Sequence, residues 1–192
     1  MAREASFHCH CSARQSLIPS TENGLRQWIC GRCGGRRILL ADYQAWRKKS
    51  IVPEPSEATL VVADYQEAPG LRLCQSCGRI MSRYRVGQEL SFHIDRCADC
   101  QSIWLDGMEW ELLAEHHYQH RLDEILSDRW QKALQQADLE ARRQQNLKAR
   151  FGEADYERLC SLRSWLTEHP RRQEMLAFLA TPSGKNPSAS ES

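Results

Sequence analysis

The chain has 192 residues, a net charge of +1 and 41% hydrophobic residues, which fits one ordinary domain or two small ones. Its mean hydropathy is −0.63, and no apolar run approaches the ~20 residues that cross a bilayer, so we expect no membrane partner. The start, MAREASFHCHC, lacks the apolar core of a signal peptide, and we therefore predict a cytoplasmic location.

Charge is unevenly distributed along the chain. Residues 1–50 carry nine Lys/Arg and three Asp/Glu, a net charge of +6, whereas residues 51–70 carry four acids and no base. The basic first segment keeps nucleic acid open as a partner, although the excess falls short of a strongly basic domain.

Cysteine is the most informative residue type. Eight of the nine cysteines fall in close pairs, and only Cys160 stands alone. Without a secretion signal, paired cysteines favour metal binding over disulfides. The candidate metal ligands are Cys9, Cys11, Cys30, Cys33, Cys74, Cys77, Cys97 and Cys100.

An internal repeat organises the first half of the chain. The pair Cys30/Cys33 recurs 67 residues later as Cys97/Cys100, and the earlier part of the unit recurs at an offset of 66. Each copy has the order cysteine pair, hairpin, cysteine pair, helix. Because a two-stranded hairpin is marginally stable in water, we expect a metal ion to join its ends.

The first copy predicts a zinc-ribbon-like module over residues 1–50. Asn23-Gly24 is a strong signal for a hairpin turn. A linker over residues 51–70, punctuated by three prolines, follows it, and residues 59–62 are compatible with a short strand there.

The second copy predicts a zinc ribbon over residues 71–115. Two stretches of alternating apolar and polar residues, 84–86 and 90–94, flank a turn and indicate half-buried strands. Asp106 is predicted to N-cap the helix that follows, with Glu109 completing a capping box.

Residues 116–180 are predicted to be helical. Apolar residues recur at spacings of three and four up to Ala137, and an Arg/Gln-rich continuation is expected to extend the helix to Arg150, with a break at 116–120. Gly152 is expected to end this helix, a second helix is expected over 153–168, and Pro170 opens a last short one. Residues 181–192 lack large apolar side chains and are predicted to be disordered.

The spacing Cys74-x-x-Cys77, nineteen residues, Cys97-x-x-Cys100 is typical of a tetrahedral zinc site. Four thiolates fill the coordination shell, which predicts a structural rather than a catalytic ion. Iron is a minor alternative. A redox role for each cysteine pair is not favoured, because the sequence lacks the βαβ pattern that surrounds a thioredoxin-like motif.

The first site has an ambiguous fourth ligand. Cys11, Cys30 and Cys33 belong to it by spacing, and Cys9, His8 and His10 compete for the remaining position. We favour Cys9, because it gives an all-sulfur set, although the 66-residue offset aligns His8 with Cys74.

Other candidate residues favour ordinary structural roles. Cys160, between apolar helical residues, is expected to be a small buried side chain, and His169 alone makes a weak catalytic partner for it. His116 and His120 have a spacing that can bind zinc, but the HExxH pattern is missing, so we expect a solvated face. No catalytic residues are assigned, and we expect a protein that is not an enzyme.

Two tryptophans flank the second site, and we expect Trp104 and Trp110 to cover the metal and pack the helix onto the hairpin. Several arginines have the chemistry to contact phosphate, although acidic neighbours interrupt any basic face. They are Arg32, Arg36, Arg37, Arg79, Arg83, Arg85 and Arg96.

Residues 73–113 carry a specific string, C-x-x-C-x3-W-L-D-x2-E, after the Cys74/Cys77 pair. It resembles the ending C-x-x-C-G-G-x-W-L-D-x-G-E of the bacterial zinc-finger family named after transcription factor IIB. Gln101-Ser102 replaces the two glycines, and Gly107 is displaced by one position. The resemblance implies a zinc ribbon in which the second cysteine set binds zinc. Residues 151–172 also resemble a tail found in some uncharacterised bacterial members.

The sequence as a whole predicts a small α+β protein. We expect two tandem zinc-ribbon-like hairpin modules followed by a helical region, with two structural Zn²⁺ sites. The expected role is an adaptor or regulatory protein that binds a protein partner or a second copy through its helices. The alternative is a nucleic-acid-binding transcription accessory protein.

Overall fold

The computed structural model describes residues 7–11, 15–50, 70–88, 90 and 92–181. The chain divides into two compact units, Met1–Gln136 and Ala137–Ser192. The linker, with its candidate strand at 59–62, and the tail lie outside the described residues, apart from Gly70 and Thr181. In the described part of the chain, no helix has both the length and the apolar character needed to span a bilayer.

The first module begins with a hairpin of β1 (Ile18–Glu22) and β2 (Leu25–Ile29). Asn23 and Gly24 form its two-residue turn with φ values of 49° and 83°. Both angles are positive, as a type I′ turn requires, so the predicted turn is confirmed. A third strand, β3 (Arg36–Leu39), pairs with β2 and leads directly into helix α1 (Leu40–Arg47).

The second module repeats this order. Strands β4 (Ser82–Arg85) and β5 (His93–Cys97) pair antiparallel, with Tyr84 opposite Ile94. Strand β6 (Ser102–Leu105) pairs with β5 and precedes helix α2 (Glu109–Glu115). The sequence predicted the two hairpins and not the third strand of either module.

The third strands join the two modules. Strands β3 and β6 pair antiparallel, which gives one six-stranded sheet in the order β1-β2-β3-β6-β5-β4. In this register Arg37 lies opposite Trp104. These two residues are also equivalent in the 67-residue repeat, so an approximate two-fold axis passes between them. The predicted modules thus share a sheet.

The main hydrophobic core combines sheet residues with helices α1, α2 and α3 (Leu122–Ile125). Side chains alternate across a strand, so Ile103 and Leu105 of β6 join this core while Trp104 faces the other side. The buried members are Leu25, Ile38, Tyr43, Trp46, Val86, Leu90, Phe92, Ile94, Ile103, Leu105, Leu112, Leu113, Leu122, Ile125 and Leu126.

Helix α4 (Asp128–Phe151) begins against the sheet. The side chain of Gln131 donates to the carbonyl oxygens of Arg85, at 2.9 Å, and Ile125, at 2.8 Å, and accepts from the Arg85 N–H at 3.1 Å. Trp130 donates its indole N–H to the Val86 carbonyl at 2.9 Å. These bonds satisfy the backbone of β4 at its end and fix the first turns of α4.

The second unit contains the rest of α4 together with α5 (Glu153–Glu168) and α6 (Arg172–Ala180). Gly152, with a φ of 81°, separates α4 from α5 as predicted, and α5 has the expected range. Helix α6 starts two residues after Pro170. Among the described residues of α5 and α6, only Leu166 is buried.

Candidate metal centres

Four cysteine sulfurs meet at the ends of the first hairpin. Cys9 and Cys11 precede β1, while Cys30 and Cys33 follow β2, and their Sγ atoms all lie within 4.8 Å of one another. The Cys9 and Cys33 sulfurs are 3.3 Å apart, and those of Cys11 and Cys30 are 4.0 Å apart. The hairpin therefore brings together the four predicted residues.

The second hairpin gathers Cys74, Cys77, Cys97 and Cys100 in the same way. Their Sγ atoms also lie within 4.8 Å of one another, and Cys77 and Cys97 are 3.5 Å apart. Cys74 and Cys97 are buried, whereas Cys77 is exposed and Cys100 is half-buried. In both groups the inner sulfurs are shielded from water and the outer ones approach the surface.

A common backbone turn presents a cysteine pair in each group. Gly34 donates its N–H to the Cys30 carbonyl at 2.9 Å, and Gly78 donates to the Cys74 carbonyl at 2.8 Å. Both glycines have a φ of 73°, a left-handed conformation that favours glycine. Such a turn directs two side chains of a C-x-x-C pair toward one point.

Backbone N–H groups also point at the sulfurs. Cys11 donates to Cys9 Sγ at 3.3 Å, Gly35 to Cys33 Sγ at 3.4 Å, and Cys100 to Cys97 Sγ at 3.4 Å. A hydrogen bond to the charged form favours the thiolate. The turns are thus suited to sulfurs that bind as anions.

The thiols of each group perturb one another. For Cys30, burial opposes ionisation, but N–H donors of Cys33 and Arg32 and the neighbouring thiols outweigh it and lower the pKa to about 7. For Cys74, burial is likewise outweighed by the N–H groups of Ser76 and Cys77, and the pKa falls to about 6.

For the other cysteines with a shifted pKa, the pKa is raised instead of lowered. Burial raises the pKa of Cys9, Cys33 and Cys97. For Cys100, chiefly the Cys77 thiol and then burial raise the pKa to about 12. Crowded thiolates repel, so a group of four needs a cation before all can ionise.

The two groups fit a tetrahedral metal. A zinc–sulfur distance of about 2.3 Å places the four sulfurs of a tetrahedron roughly 3.8 Å apart. The three pairs described above, at 3.3, 3.5 and 4.0 Å, are close to this value, and all the sulfurs of a group lie within 4.8 Å of one another. Each group can hold one ion, and four sulfurs leave no position for a water molecule. The donor set suits zinc, which remains the predicted metal, and iron remains the alternative.

The histidines that competed for the first site lie elsewhere. His8 is exposed, and its backbone forms an isolated antiparallel β-bridge with Ser16. The His10 ring lies 4.6 Å from Trp104, and its Nδ1 is 3.3 Å from Gln75 Nε2. Burial lowers the pKa of His10 to about 4. Within the described residues, neither sulfur group includes a histidine.

The expected solvated face around His116 and His120 is wrong for His120. This residue is 5% exposed, because it follows the end of α2 and stacks on Trp46 with ring centroids 4.8 Å apart. Its Nδ1 lies 3.3 Å from Ser50 Oγ. The ring is therefore buried against the core residue Trp46.

Cys160 and His169 have separate neighbours. Cys160, expected to be buried, is half-buried, and its sulfur accepts from Arg163 at 3.8 Å. His169 Nδ1 accepts from the backbone N–H of Arg171 at 3.1 Å. These contacts give no support to a cysteine–histidine catalytic pair.

Asp106 was predicted to N-cap α2, but the structure shows that it does not. The helix begins at Glu109 with Met108 as N-cap, at a φ of 71°. Asp106 instead accepts from the Trp104 indole at 2.9 Å and pairs with Arg72, while its own N–H donates to Glu109 at 2.7 Å. One half of the capping box is present, and the aspartate orients the tryptophan.

The sequence had suggested that both tryptophans cover the second site, but the structure does not place both of them there. Trp104 shares a buried cluster with Cys74 and Cys97 of the second site, and it also lies against the first site, where a Cβ atom built on Gly35 would come within 2.8 Å of its ring. Trp110 packs on the helical core, with its ring 5.8 Å from that of Trp46. The long-range pairing of β3 with β6 brings Trp104 to the first site.

Comparisons of the chain with protein-family profiles, curated proteins and solved structures found no significant match. The likeness to the transcription-factor-IIB-type family therefore remains the interpretation of one motif. Two four-cysteine groups are the part of that interpretation that the structure supports.

Proposed function

We propose that this protein is a non-enzymatic zinc-binding adaptor with two structural zinc sites. The observation that carries the proposal is the pair of four-sulfur groups, each at the ends of a hairpin in one shared sheet. A complete sulfur shell holds the fold and leaves no coordination position for substrate. Cysteine thiols in this role suit a reducing compartment.

The partner-binding surface in this proposal is the apolar side of α5 and α6. A cleft between these helices is lined mainly by apolar residues, with His169, Arg171 and Glu174 among its polar ones. Trp165 is 53% exposed and Phe178 is 79% exposed. Exposed apolar groups of this size are common at protein–protein interfaces. The exposed set is Leu159, Leu162, Trp165, Leu176, Phe178 and Leu179.

Nucleic-acid binding has less support. Several arginines proposed for phosphate contacts are engaged within the protein: Arg36 with Glu22 at 2.6 Å, Arg79 with Asp99 at 2.5 Å, and Arg96 with Gln101 at 2.7 Å. Their donors are partly or wholly used, which reduces the cationic surface available for phosphate contacts.

Elemental analysis tests the zinc assignment. Two zinc ions per chain are expected after purification under reducing conditions, and a strong chelator should abolish the β signal in circular dichroism, because metal binding supplies folding free energy. Folded protein that holds neither zinc nor iron, with a spectrum unchanged by chelator, would contradict the proposal.

The adaptor role needs a separate test. Light scattering would report self-association, and affinity capture from native lysate followed by mass spectrometry would identify partners. Trp165→Ser and Phe178→Ser should abolish the specific complex while zinc content stays at two. Leu139→Ser is a matched control, because Leu139 is 66% exposed and lies on α4, outside the α5–α6 cleft. Complexes that survive both cleft substitutions would rule this surface out.

A further inference from the structure

Arg37 belongs to the first module but lies beside the second sulfur group. It is 6% exposed, and its Nη2 donates to the Oγ of Ser76, between Cys74 and Cys77, at 3.2 Å. Arg37 also lines one small cavity together with Cys74 and Ser102 of the second module. A buried cation from β3 therefore lies beside the Cys74/Cys77 turn of the other hairpin.

The guanidinium is held in place by aromatic rings of its own module. Its central carbon lies 3.7 Å from the centroid of the Phe7 ring and 5.4 Å from that of Trp28. Phe7 and Trp28 pack edge to face, with their centroids 5.1 Å apart. Because these rings limit its movement, the first module fixes where this charge lies.

Trp104 provides the reciprocal contact. It belongs to β6 of the second module, and its ring packs against Gly35, next to Cys33 of the first sulfur group. Its indole N–H is tied to Asp106 at 2.9 Å, and the His10 ring lies edge-on at 4.6 Å. The second module thus covers one side of the first site with the ring of Trp104.

The inner cysteines of both groups belong to a single buried cluster. It contains Cys9 and Cys30 of the first group, Cys74 and Cys97 of the second, and Trp104. A change of packing at one group therefore meets atoms that border the other.

We propose that each module completes the other module's metal site, through Arg37 at the second site and Trp104 at the first, so that the two ions are bound and released as a coupled pair. This inference rests on the proposed zinc sites. A zinc ion with four thiolates carries a net charge of −2, which a buried arginine stabilises. Groups that surround a metal's ligands typically change its affinity by about 10–100-fold.

Cysteine protection can report the two sites separately. Zinc-loaded protein is incubated with graded chelator and alkylated, and the modified peptides are quantified by mass spectrometry. Peptides with Cys9, Cys11, Cys30 and Cys33 report the first site, and those with Cys74, Cys77, Cys97 and Cys100 report the second. In the unsubstituted chain, both sets should become reactive at the same chelator concentration.

Arg37→Met is the decisive variant, because it keeps all eight sulfurs. We expect second-site cysteines to react at about tenfold less chelator, with first-site cysteines shifting in the same direction. Arg37→Lys should recover part of the loss. Arg26→Met is the matched control, because this arginine on β2 is exposed and its nearest acidic partner, Asp42, is 3.8 Å away. It should change nothing.

A second variant tests coupling without Arg37. Cys77→Ser with Cys100→Ser removes two outer ligands of the second site, and zinc at the first site should then be lost at lower chelator concentration. First-site reactivity that does not change in either variant overturns the coupling. A chain without bound zinc or iron would overturn the proposed function as well, whereas two zinc ions released independently overturn only this inference.

Discussion

Gly107, just after β6, lies directly against the backbone carbonyl of Cys33 in the other module. A Cβ atom built on Gly107 would overlap that oxygen, so no side chain fits between the two chain segments. The turn that presents a first-site cysteine is therefore in backbone contact with the segment that leads into α2.

Gly107→Ala tests this close approach. We expect the free energy of unfolding to fall by about 1–3 kcal/mol, because the added methyl group forces the two modules apart. Denaturant titration with excess zinc measures it. Gly31→Ala is the control, since its Cβ would lie at an ordinary 3.7 Å from Ile18. Equal stability of the two variants would show that the contact can relax at no cost.

The fourth ligand of the first site can be identified by metal counting. Cys9→Ser leaves three sulfurs at the first site, so its ion should be lost. With free zinc buffered at a concentration that keeps the second site filled, the zinc content should fall from two ions per chain to one. His8→Ala should retain two ions, since His8 is exposed and outside the sulfur group. The reverse result would make His8 the ligand.

Because His120 is buried, we expect the stability of the folded protein to depend on pH. Burial lowers its pKa below the ordinary 6.5, and Arg47 and His117 add to the shift. The ring is therefore neutral in the fold, while the unfolded chain binds a proton near pH 6.5. The contribution to stability is complete above pH 6.5 and is lost as pH falls below that value toward the pKa of the folded state.

Thermal midpoints at pH 8, 7 and 6, with excess zinc, measure this contribution. The difference between the native chain and His120→Phe should shift in favour of the variant as pH falls, because phenylalanine can stack on Trp46 without taking up a proton. His169→Gln, in the other unit, serves as the control. A pH-independent difference for His120→Phe would contradict the assignment.

Gln131 is expected to be the main polar link between α4 and the sheet. Gln131→Ala should cost about 1–3 kcal/mol, because the N–H and carbonyl of Arg85 lose their side-chain partner. Hydrogen exchange at the Arg85 amide should accelerate in parallel. Gln135→Ala removes an equal amide from an exposed position of the same helix and should leave both measurements unchanged.

Local sequence signals predicted the local structure. Asn23-Gly24 specified a turn whose geometry few other pairs adopt, and the C-x-x-C spacing was enough to gather four sulfurs at each hairpin. The signals in both cases lie within a few residues, or within one hairpin, of the structure that they specify.

The pairing of β3 with β6 could not be predicted in this way. Each strand has four residues, too few to show a clear alternation, and the partners are 63 to 69 residues apart in sequence. Arg36 and Arg37 suggested an exposed basic surface, yet pairing across modules buries both. His120 was misplaced for a similar reason, since α1 supplies the Trp46 ring that covers it.

The coincidence of Arg37 and Trp104 at the two-fold axis also bears on how the chain arose. Two copies of a chain with one module, related by a symmetry axis through that pair, would build the same sheet as a homodimer. Gene duplication and fusion would turn that association into an intramolecular event, which no longer depends on concentration. A homodimer must place the same residue at both central positions, whereas the fused chain is free to place a guanidinium beside one metal site and an indole beside the other.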